Sequence, residues 1–211
     1  MTPTVLLLHA FPLDERMWAP QLATLAAAGF AAVAPRLYGR GPSIDGWARQ
    51  LLDEVGGDVV AVGASMGGYT ALALARQAPE RVHGLVLASS RAEGDTPERV
   101  AFRERVLEAL ARRESLPGAA DGVSADELAD ATRALRDRPD STEVVRSFAG
   151  PLLVCAGDGD DLFSPEEGRR LAALARAGRF ALFEGAGHLM SVEQPQRFDE
   201  VLLEEAARWA T

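Results

Sequence analysis

The chain has little that would staple it, bind it to a polyanion or thread it through a membrane. It contains one cysteine, Cys155, in 211 residues, so no internal disulfide can form. That residue lies in the apolar run 151–156, which gives it the character of a small buried hydrophobe. Lys and Arg number 22 against 31 Asp and Glu, a formal net charge of -9, and there is no basic block. This balance argues against nucleic acid or an anionic membrane as a partner. The apolar run from Val5 to Leu8 is too short for a signal-peptide core, has no basic residue before it and ends at a histidine. With no stretch long enough to span a bilayer either, a cytoplasmic location is expected. Only three histidines occur; they are scattered and show no paired ligand spacing, so no metal site and no cofactor are expected. Repeats and low-complexity linkers are absent as well.

What is present suits one globular domain: 47% of the residues are hydrophobic, enough for a sizeable core with room for a small insertion. The stretch around which the chain is organised is Gly63-Ala64-Ser65-Met66-Gly67-Gly68. It follows Asp58-Val59-Val60-Ala61-Val62, which reads as a buried strand, and precedes Tyr69 to Gln77, which reads as a helix. A turn that tight drives its central residue towards positive φ and needs small residues two positions away on each side, where Gly63 and Gly67 stand. The strand presents the Ser65 hydroxyl above the sheet edge, and the helix behind it aims free N–H groups at the same place.

Taken in order, Thr4 to Leu8 reads as a parallel strand covered on both faces. His9 to Asp14 is a loop, and Asp14 caps a helix with Trp18, Leu22, Leu25 and Ala26 on one face. Phe30 to Ala34 is a second strand closed by Pro35. Ser43 caps a helix from Ile44 to Glu54, and Val82 to Ala88 is a further strand. This alternation predicts a parallel sheet with helices on both faces and a site at the carboxyl ends of the strands. From Arg91 to Ser147 the alternation gives way to two or three charged helices, with starts at Thr96-Pro97 and at the capping box Ser124 to Glu127. Because this insertion leaves from a strand's carboxyl end, residues 91–146 are expected to form a short helical lid on a core of 1–90 and 147–211. The sheet resumes at Pro151 to Ala156, a capped helix starts at Ser164-Pro165, Phe180 to Phe183 is the last strand, and a helix from about Pro195 closes the chain.

Polar groups then fall at the ends of separate strands in the order nucleophile, acid, base: Ser65, the aspartates of 157–161, and His188. A serine hydroxyl is a poor nucleophile near neutral pH, so a neutral imidazole must take its proton, and a buried carboxylate must hold the other imidazole N–H. Asp160 is the preferred acid, with Asp161 as the alternative acid and Asp158 also within reach. His83 reads as a surface or edge residue. The developing oxyanion needs donors already in place: the Met66 N–H, and one from the loop after the first strand. There Pro12 has no N–H, which leaves Ala10 or Phe11, with Phe11 preferred. His9 is expected to brace this loop, and His9, Phe11, Trp18 and Met66 are expected along the substrate pocket.

The pieces His9-Ala10-Phe11-Pro12, Gly63 to Gly68, Gly157 to Asp160 and Gly185-Ala186-Gly187-His188 resemble the α/β-hydrolase family over nearly the whole chain. The wording Phe11 to Asp14 and Met17-Trp18, with Ser65 to Tyr69 and Ser90-Arg91-Ala92, looks like the branch of 3-oxoadipate enol-lactonases and related small esterases. The resemblance implies an α/β-hydrolase fold, supports Phe11 as an oxyanion donor, and implies cleavage of a small ester or lactone through an acyl-serine. The chain departs from the family pattern in lacking the two leading antiparallel strands, in having Arg36 where an aspartate is usual, and in a lid about half the usual length. An enol-lactonase would need a cation for its acidic substrate, for which Arg91, Arg99 and Arg103 are candidates. Two other outcomes fit the same residues: a small-molecule binding or sensing protein with little turnover, and peracid formation at the same serine. The residues leave the oligomeric state open.

Overall fold

In the computed structural model, which describes residues 3–209, the side-chain period of two sorts each central strand between two apolar layers. From β1 (Thr4–Leu8), β3 (Val59–Ala64), β4 (Val82–Ala88) and β5 (Leu152–Gly157), the residues Leu6, Leu8, Val59, Ala61, Leu85, Leu87, Leu152 and Val154 enter one layer. Their neighbours Val5, Leu7, Val60, Val62, Val86, Leu153 and Cys155 enter the other. Strands buried on both faces read as continuous apolar runs for this reason.

With β2 (Ala32–Val33) and β6 (Gly178–Phe183), these strands form one sheet of order β2-β1-β3-β4-β5-β6. All five pairings among the described residues are parallel. Strand order reverses between β1 and β3, and it is outside the carboxyl ends at such a reversal that ligand crevices form.

Two strands differ from the sequence expectation. β2 pairs at only two positions, Val5 with Ala32 and Leu6 with Val33. The Phe30 N–H is spent on the Leu25 carbonyl of the preceding helix, and Pro35 closes the far end. β6 starts two residues earlier than expected, at Gly178. A Cβ there would lie 1.9 Å from the Ala172 carbonyl oxygen, so this glycine is a point of close approach and not a break.

The crossover helices cover both faces. α1 (Ala19–Ala27) follows a 3-10 turn (Glu15–Trp18) capped by Asp14, and α2 (Ile44–Glu54) is capped by Ser43, whose Oγ accepts the Gly46 N–H at 3.2 Å. α3 (Met66–Gln77) follows the Ser65 turn. Between β4 and β5 come α4 (Pro97–Ala111), α5 (Ala125–Arg136) and α6 (Thr142–Ser147), then α7 (Pro165–Leu174), the short α8 (Met190–Glu193) and α9 (Pro195–Ala206). Trp47, Leu51, Leu72 and Leu171 place α2, α3 and α7 on one face. Leu25, Phe198 and Leu202 place α1 and α9 on the other.

The α4–α6 segment is tied to α3. Leu110, Leu128, Ala131 and Leu135 are buried in the same layer as α3. Arg138 and Asp95 pair at 2.7 Å with side chains 3% and 1% exposed, Arg103 adds a second contact to Asp95 at 3.2 Å, and the Arg138 guanidinium lies 4.0 Å over the Tyr69 ring. Tyr69 is one turn beyond Ser65. A buried pair of this kind contributes little net stability, but losing one member is costly because the other stays charged and buried.

Candidate active site

The Ser65 turn is held by contacts that only glycine permits. A Cβ on Gly63 would lie 2.3 Å from the Gly67 backbone, one on Gly67 1.9 Å from the Leu8 carbonyl oxygen, and one on Gly68 2.0 Å from Ser90 Oγ. These approaches press the first turn of α3 against the ends of β1 and β4. Ser65 itself takes φ 49°, ψ -108°, a conformation L-residues seldom adopt unless the surroundings impose it. Here its N–H donates to the Ala88 carbonyl at 2.8 Å, and the Ser90 hydroxyl reaches the Ser65 carbonyl at 3.0 Å.

Three side chains named from the sequence meet above this turn. His188 Nε2 is 3.0 Å from Ser65 Oγ, and His188 Nδ1 is 2.8 Å from Asp160 Oδ2 and 3.0 Å from Oδ1. A carboxylate can only accept, so Nδ1 carries the proton and Nε2 offers its lone pair to the serine hydroxyl. The Asp160 side chain is fully buried and also accepts the N–H groups of Leu162 at 2.8 Å and Phe163 at 3.1 Å. Burial pushes its carboxyl pKa up, but the hydrogen bond and charge of His188 and the Leu162 N–H outweigh that and leave it below the usual carboxylate range.

The other aspartates are placed differently: Asp161 is exposed, and Asp158, also exposed, accepts the Gly185 N–H at 2.7 Å. The acid loop and the histidine loop lie side by side because Gly157 has no Cβ, which would be 2.2 Å from the Ala186 carbonyl oxygen. Glu193, which the sequence did not single out, accepts the N–H groups of Gly187 at 2.6 Å and Leu189 at 2.9 Å and so holds the histidine loop from α8. No pattern in the sequence marks it.

Two places supply the candidate backbone donors. Met66 is the first residue of α3, whose N–H has no intrahelical partner. In the loop after β1 the Ala10 N–H is taken by Met17 Sδ at 3.3 Å, which favours Phe11 of the two candidate donors. His9 braces this loop from below. It is 0% exposed, its Nδ1–H donates to the Ala10 carbonyl at 3.0 Å, and its Nε2 accepts the Leu37 N–H at 3.0 Å. Burial lowers its pKa to about 4, so the imidazole is neutral at pH 7.

The expected pocket wall needs correction. His9, Trp18 and Met66 are all 0% exposed, and only Phe11 of the four is partly exposed. Trp18 stacks on Phe198 at 5.8 Å inside the α1–α9 layer, and the Met66 side chain turns into the α3 layer. Residues on a tight loop alternate in direction in ways that spacing alone does not reveal. Two described cavities lie elsewhere. One of about 710 Å³ sits between the end of α3, the start of β4, α6 and Trp209. One of about 500 Å³ lies between Arg91, Phe163, the start of α4, α6 and the length of α7.

The three candidate arginines separate clearly. Arg103 is held by Asp95, and Arg91 is held by Glu167 at 3.1 Å and the Leu162 carbonyl. Arg99 lines the second cavity with no carboxylate paired to its guanidinium, and burial and the charge of Arg91 push its pKa down. His83 is an exposed residue 3.4 Å from Asp58. Cys155 is fully buried, and burial pushes its thiol pKa well up. Among the described residues no helix is long and apolar enough to cross a membrane, and no cluster of three His, Cys, Asp or Glu is placed to hold a metal ion.

Known proteins resemble this chain over most of its length. The model of the alpha/beta hydrolase family matches residues 5–201. The solved structure of a thermophilic esterase from Thermogutta terrifontis, with malate bound, superposes with a TM-score of 0.88 at 30% identity over 99% of this chain and 91% of that one. 3-Oxoadipate enol-lactonase 1 of Acinetobacter baylyi is 26% identical over 94% of this chain and 86% of its own length. A pimeloyl-[acyl-carrier protein] methyl ester esterase of Aromatoleum aromaticum is 38% identical over 91 residues, 40% of this chain and 36% of that one, so the match spans about a third of that relative. The chain belongs to the alpha/beta hydrolase family.

Proposed function

From that membership we propose that the protein is an ester hydrolase that cleaves a small carboxylic ester or lactone through an acyl-Ser65 intermediate, with no cofactor. The observation that carries this reading is the continuous relay from Ser65 Oγ through His188 to buried Asp160, at 3.0 and 2.8 Å. His188 takes the serine proton as Ser65 attacks, and the N–H groups of Met66 and Phe11 receive the negative oxygen. His188 then returns the proton to the leaving alcohol. In the second half the same imidazole activates water against the acyl-serine. Asp160 fixes the tautomer and stabilises the imidazolium. Each oxyanion donor is worth roughly a hundredfold or more in rate.

On this reading residues 91–146 are a lid over a core made of 1–90 and 147–211. An acidic chain with one buried cysteine suits a cytoplasmic enzyme that acts on small molecules. The test is labelling by a fluorophosphonate probe, which asks for an activated serine without presuming a substrate. Labelling of wild type and none of Ser65→Ala is the expected result. Equal labelling of both would refute the assignment, and a folded wild type that binds small esters without turnover would shift the reading to a binding or sensing protein.

A narrower reading, an enol-lactone hydrolase, is favoured by the likeness to the enol-lactonase of Acinetobacter baylyi, which extends over 94% of this chain. Turnover of a lactone bearing a free carboxylate, compared with its methyl ester, decides it. A site with a cation for the acid prefers the free carboxylate.

A further inference from the structure

The cavity of about 500 Å³ beside α7 gathers positive charge in a chain that is acidic as a whole. Four arginines, Arg91, Arg99, Arg146 and Arg170, line it with only two glutamates, Glu93 and Glu167, although the formal net charge of the protein is -9. Three of the arginines are committed. Arg91 is bound to Glu167 at 3.1 Å and to the Leu162 carbonyl, Arg170 to Glu166 at 2.9 Å, and Arg146 to Glu143. The Arg99 guanidinium makes no ion pair and no hydrogen bond among the described residues.

Its neighbouring carboxylates are spent elsewhere. Asp95 is closed off by Arg138 at 2.7 Å and Arg103 at 3.2 Å. Glu167 is taken by Arg91 and by the N–H and hydroxyl of Ser164, both at 2.9 Å, and Glu93 is exposed. Arg99 and Arg91 therefore share one cavity with their charges repelling each other, and partial burial strengthens that repulsion because less water screens it. An anion between them relieves it. Arg91 is 9% exposed, and both of its bonds use Nη2, so Nη1 is left to donate. A guanidinium presents the planar fork that a carboxylate or phosphate accepts.

The remaining lining is apolar. Phe163, 1% exposed, Leu171 and Leu174 face the same space, with the Arg91 guanidinium 5.5 Å over the Phe163 ring. Thr96 brings the positive end of α4 there as well. The volume of about 500 Å³ is larger than a bare inorganic ion needs and lies within the range of small-molecule sites, about 300–1,000 Å³. Ser65, Asp160 and His188 do not line it; Phe163 links it to the acid only through the N–H that it donates to Asp160 at 3.1 Å. We propose that this cavity is a second ligand site, separate from the Ser65 site, for a small organic anion whose carboxylate or phosphate lies between Arg99 and Arg91 and whose apolar body lies against Phe163, Leu171 and Leu174. The assignment stands on the cavity alone and holds whether or not Ser65 turns over an ester.

Calorimetric titration of the whole chain with benzoate and with phenyl phosphate tests it. At least one of them should bind saturably at a single site, and the two arms tell carboxylate from phosphate. Benzyl alcohol, which lacks the charge, and inorganic phosphate, which lacks the ring, should each bind at least about tenfold more weakly than that probe. Arg99→Gln should weaken the probe by about tenfold or more, whereas Arg170→Gln, at a side chain 65% exposed and paired with Glu166, should stay within about threefold. Leu174→Trp fills the cavity without changing a charge, so it should block binding, and it decides the matter where Arg99→Gln does not fold. Saturable binding of neither probe, undiminished binding to Arg99→Gln or Leu174→Trp, or either control compound binding as tightly as the probe would overturn the proposal. So would equal losses in Arg99→Gln and Arg170→Gln, the mark of general surface charge. A probe that slows fluorophosphonate labelling of Ser65 in step with its own binding would put the ligand in the catalytic site instead, which refutes a second site and leaves the hydrolase reading intact.

Discussion

The buried imidazole of His9 makes the stability of this fold depend on pH in a calculable way. In the unfolded chain His9 takes up a proton near pH 6.5, and in the folded chain only near pH 4, because burial penalises the charged ring. Between those values the unfolded state binds more protons than the folded state, so stability falls as pH falls. The full contribution is present above about pH 7 and is gone by about pH 4. A gap of about 2.5 pH units at about 1.4 kcal/mol each amounts to roughly 3.5 kcal/mol. Carboxylates with depressed values, such as Asp14 and Asp160, also lose stability in acid, but their window lies at and below the ordinary carboxylate range.

His9→Gln isolates the effect. The glutamine oxygen can still accept the Leu37 N–H, as Nε2 does at 3.0 Å, while the bond to the Ala10 carbonyl and the ring contact with Tyr38 at 4.9 Å are lost. At pH 7.5 the variant should be about 1–2 kcal/mol less stable than wild type. Because glutamine does not titrate, that deficit should shrink as the pH falls and change sign near pH 5, leaving the variant the more stable protein at pH 4.5. Urea unfolding followed by the fluorescence of buried Trp18 and Trp47 measures both curves. Parallel curves from pH 7.5 to 4.5 would show that His9 is not a neutral buried group, and the argument for how the loop carrying Phe11 is braced would fail with it.

Asp160→Asn keeps the shape of the acid but not its charge and should lower turnover of any ester found by roughly 10⁴-fold, whereas Asp161→Asn, at an exposed position, should stay within about twofold; a reversed order would move the acid role to Asp161. Gly67→Ala places a methyl group 1.9 Å from the Leu8 carbonyl oxygen, so it should cost more than about 2 kcal/mol in stability and abolish probe labelling, and a stable, labelled variant would contradict the packing of α3 on β1. Asp95→Asn leaves Arg138 and Arg103 facing a neutral amide in a buried place and should destabilise by about 3 kcal/mol, read as a lowered thermal midpoint, while an unchanged midpoint would mean that water reaches that cluster.

Much of the architecture was legible because strand and helix periods differ and the caps are explicit in residue type. Thr4–Leu8 and Val82–Ala88 appear with the expected bounds, and the starts at Ser43, Thr96, Ser124 and Ser164 all cap helices. What was not legible depended on neighbours distant in sequence. Nothing local to Phe30–Ala34 says that its first N–H is claimed by a helix. Nothing local to Gly178 separates a glycine that ends a strand from one that lets a helix carbonyl approach it. The aspartates at 158, 160 and 161 are equivalent as letters, and only the fold buries one of them against an imidazole. Trp18 shows the converse: its nearness in sequence to the loop after β1 suggested a pocket wall, and the turn at 15–18 carries it into the layer behind the sheet.

The segment between β4 and β5 bears on the chemistry through the same loop that His9 braces from below. Ala120 donates its N–H to the Pro12 carbonyl at 3.1 Å, and Arg16 reaches the Asp121 carbonyl at 2.7 Å. Arg36, at the position where the family pattern suggests an aspartate, pairs with Glu127 at 3.1 Å. Glu127 also closes the capping box of α5. A half-exposed ion pair of this sort near the surface is worth only about 1 kcal/mol on its own. Here, however, these contacts converge around the loop from 10 to 16, and with Tyr38 donating to the Leu13 carbonyl at 2.8 Å they hold it from outside while His9 holds it from inside. A donor to an oxyanion is useful only if it is in place before the charge develops. On the proposed reading, the helical segment cannot swing away without loosening Phe11, so the lid also helps to pre-set the oxyanion loop.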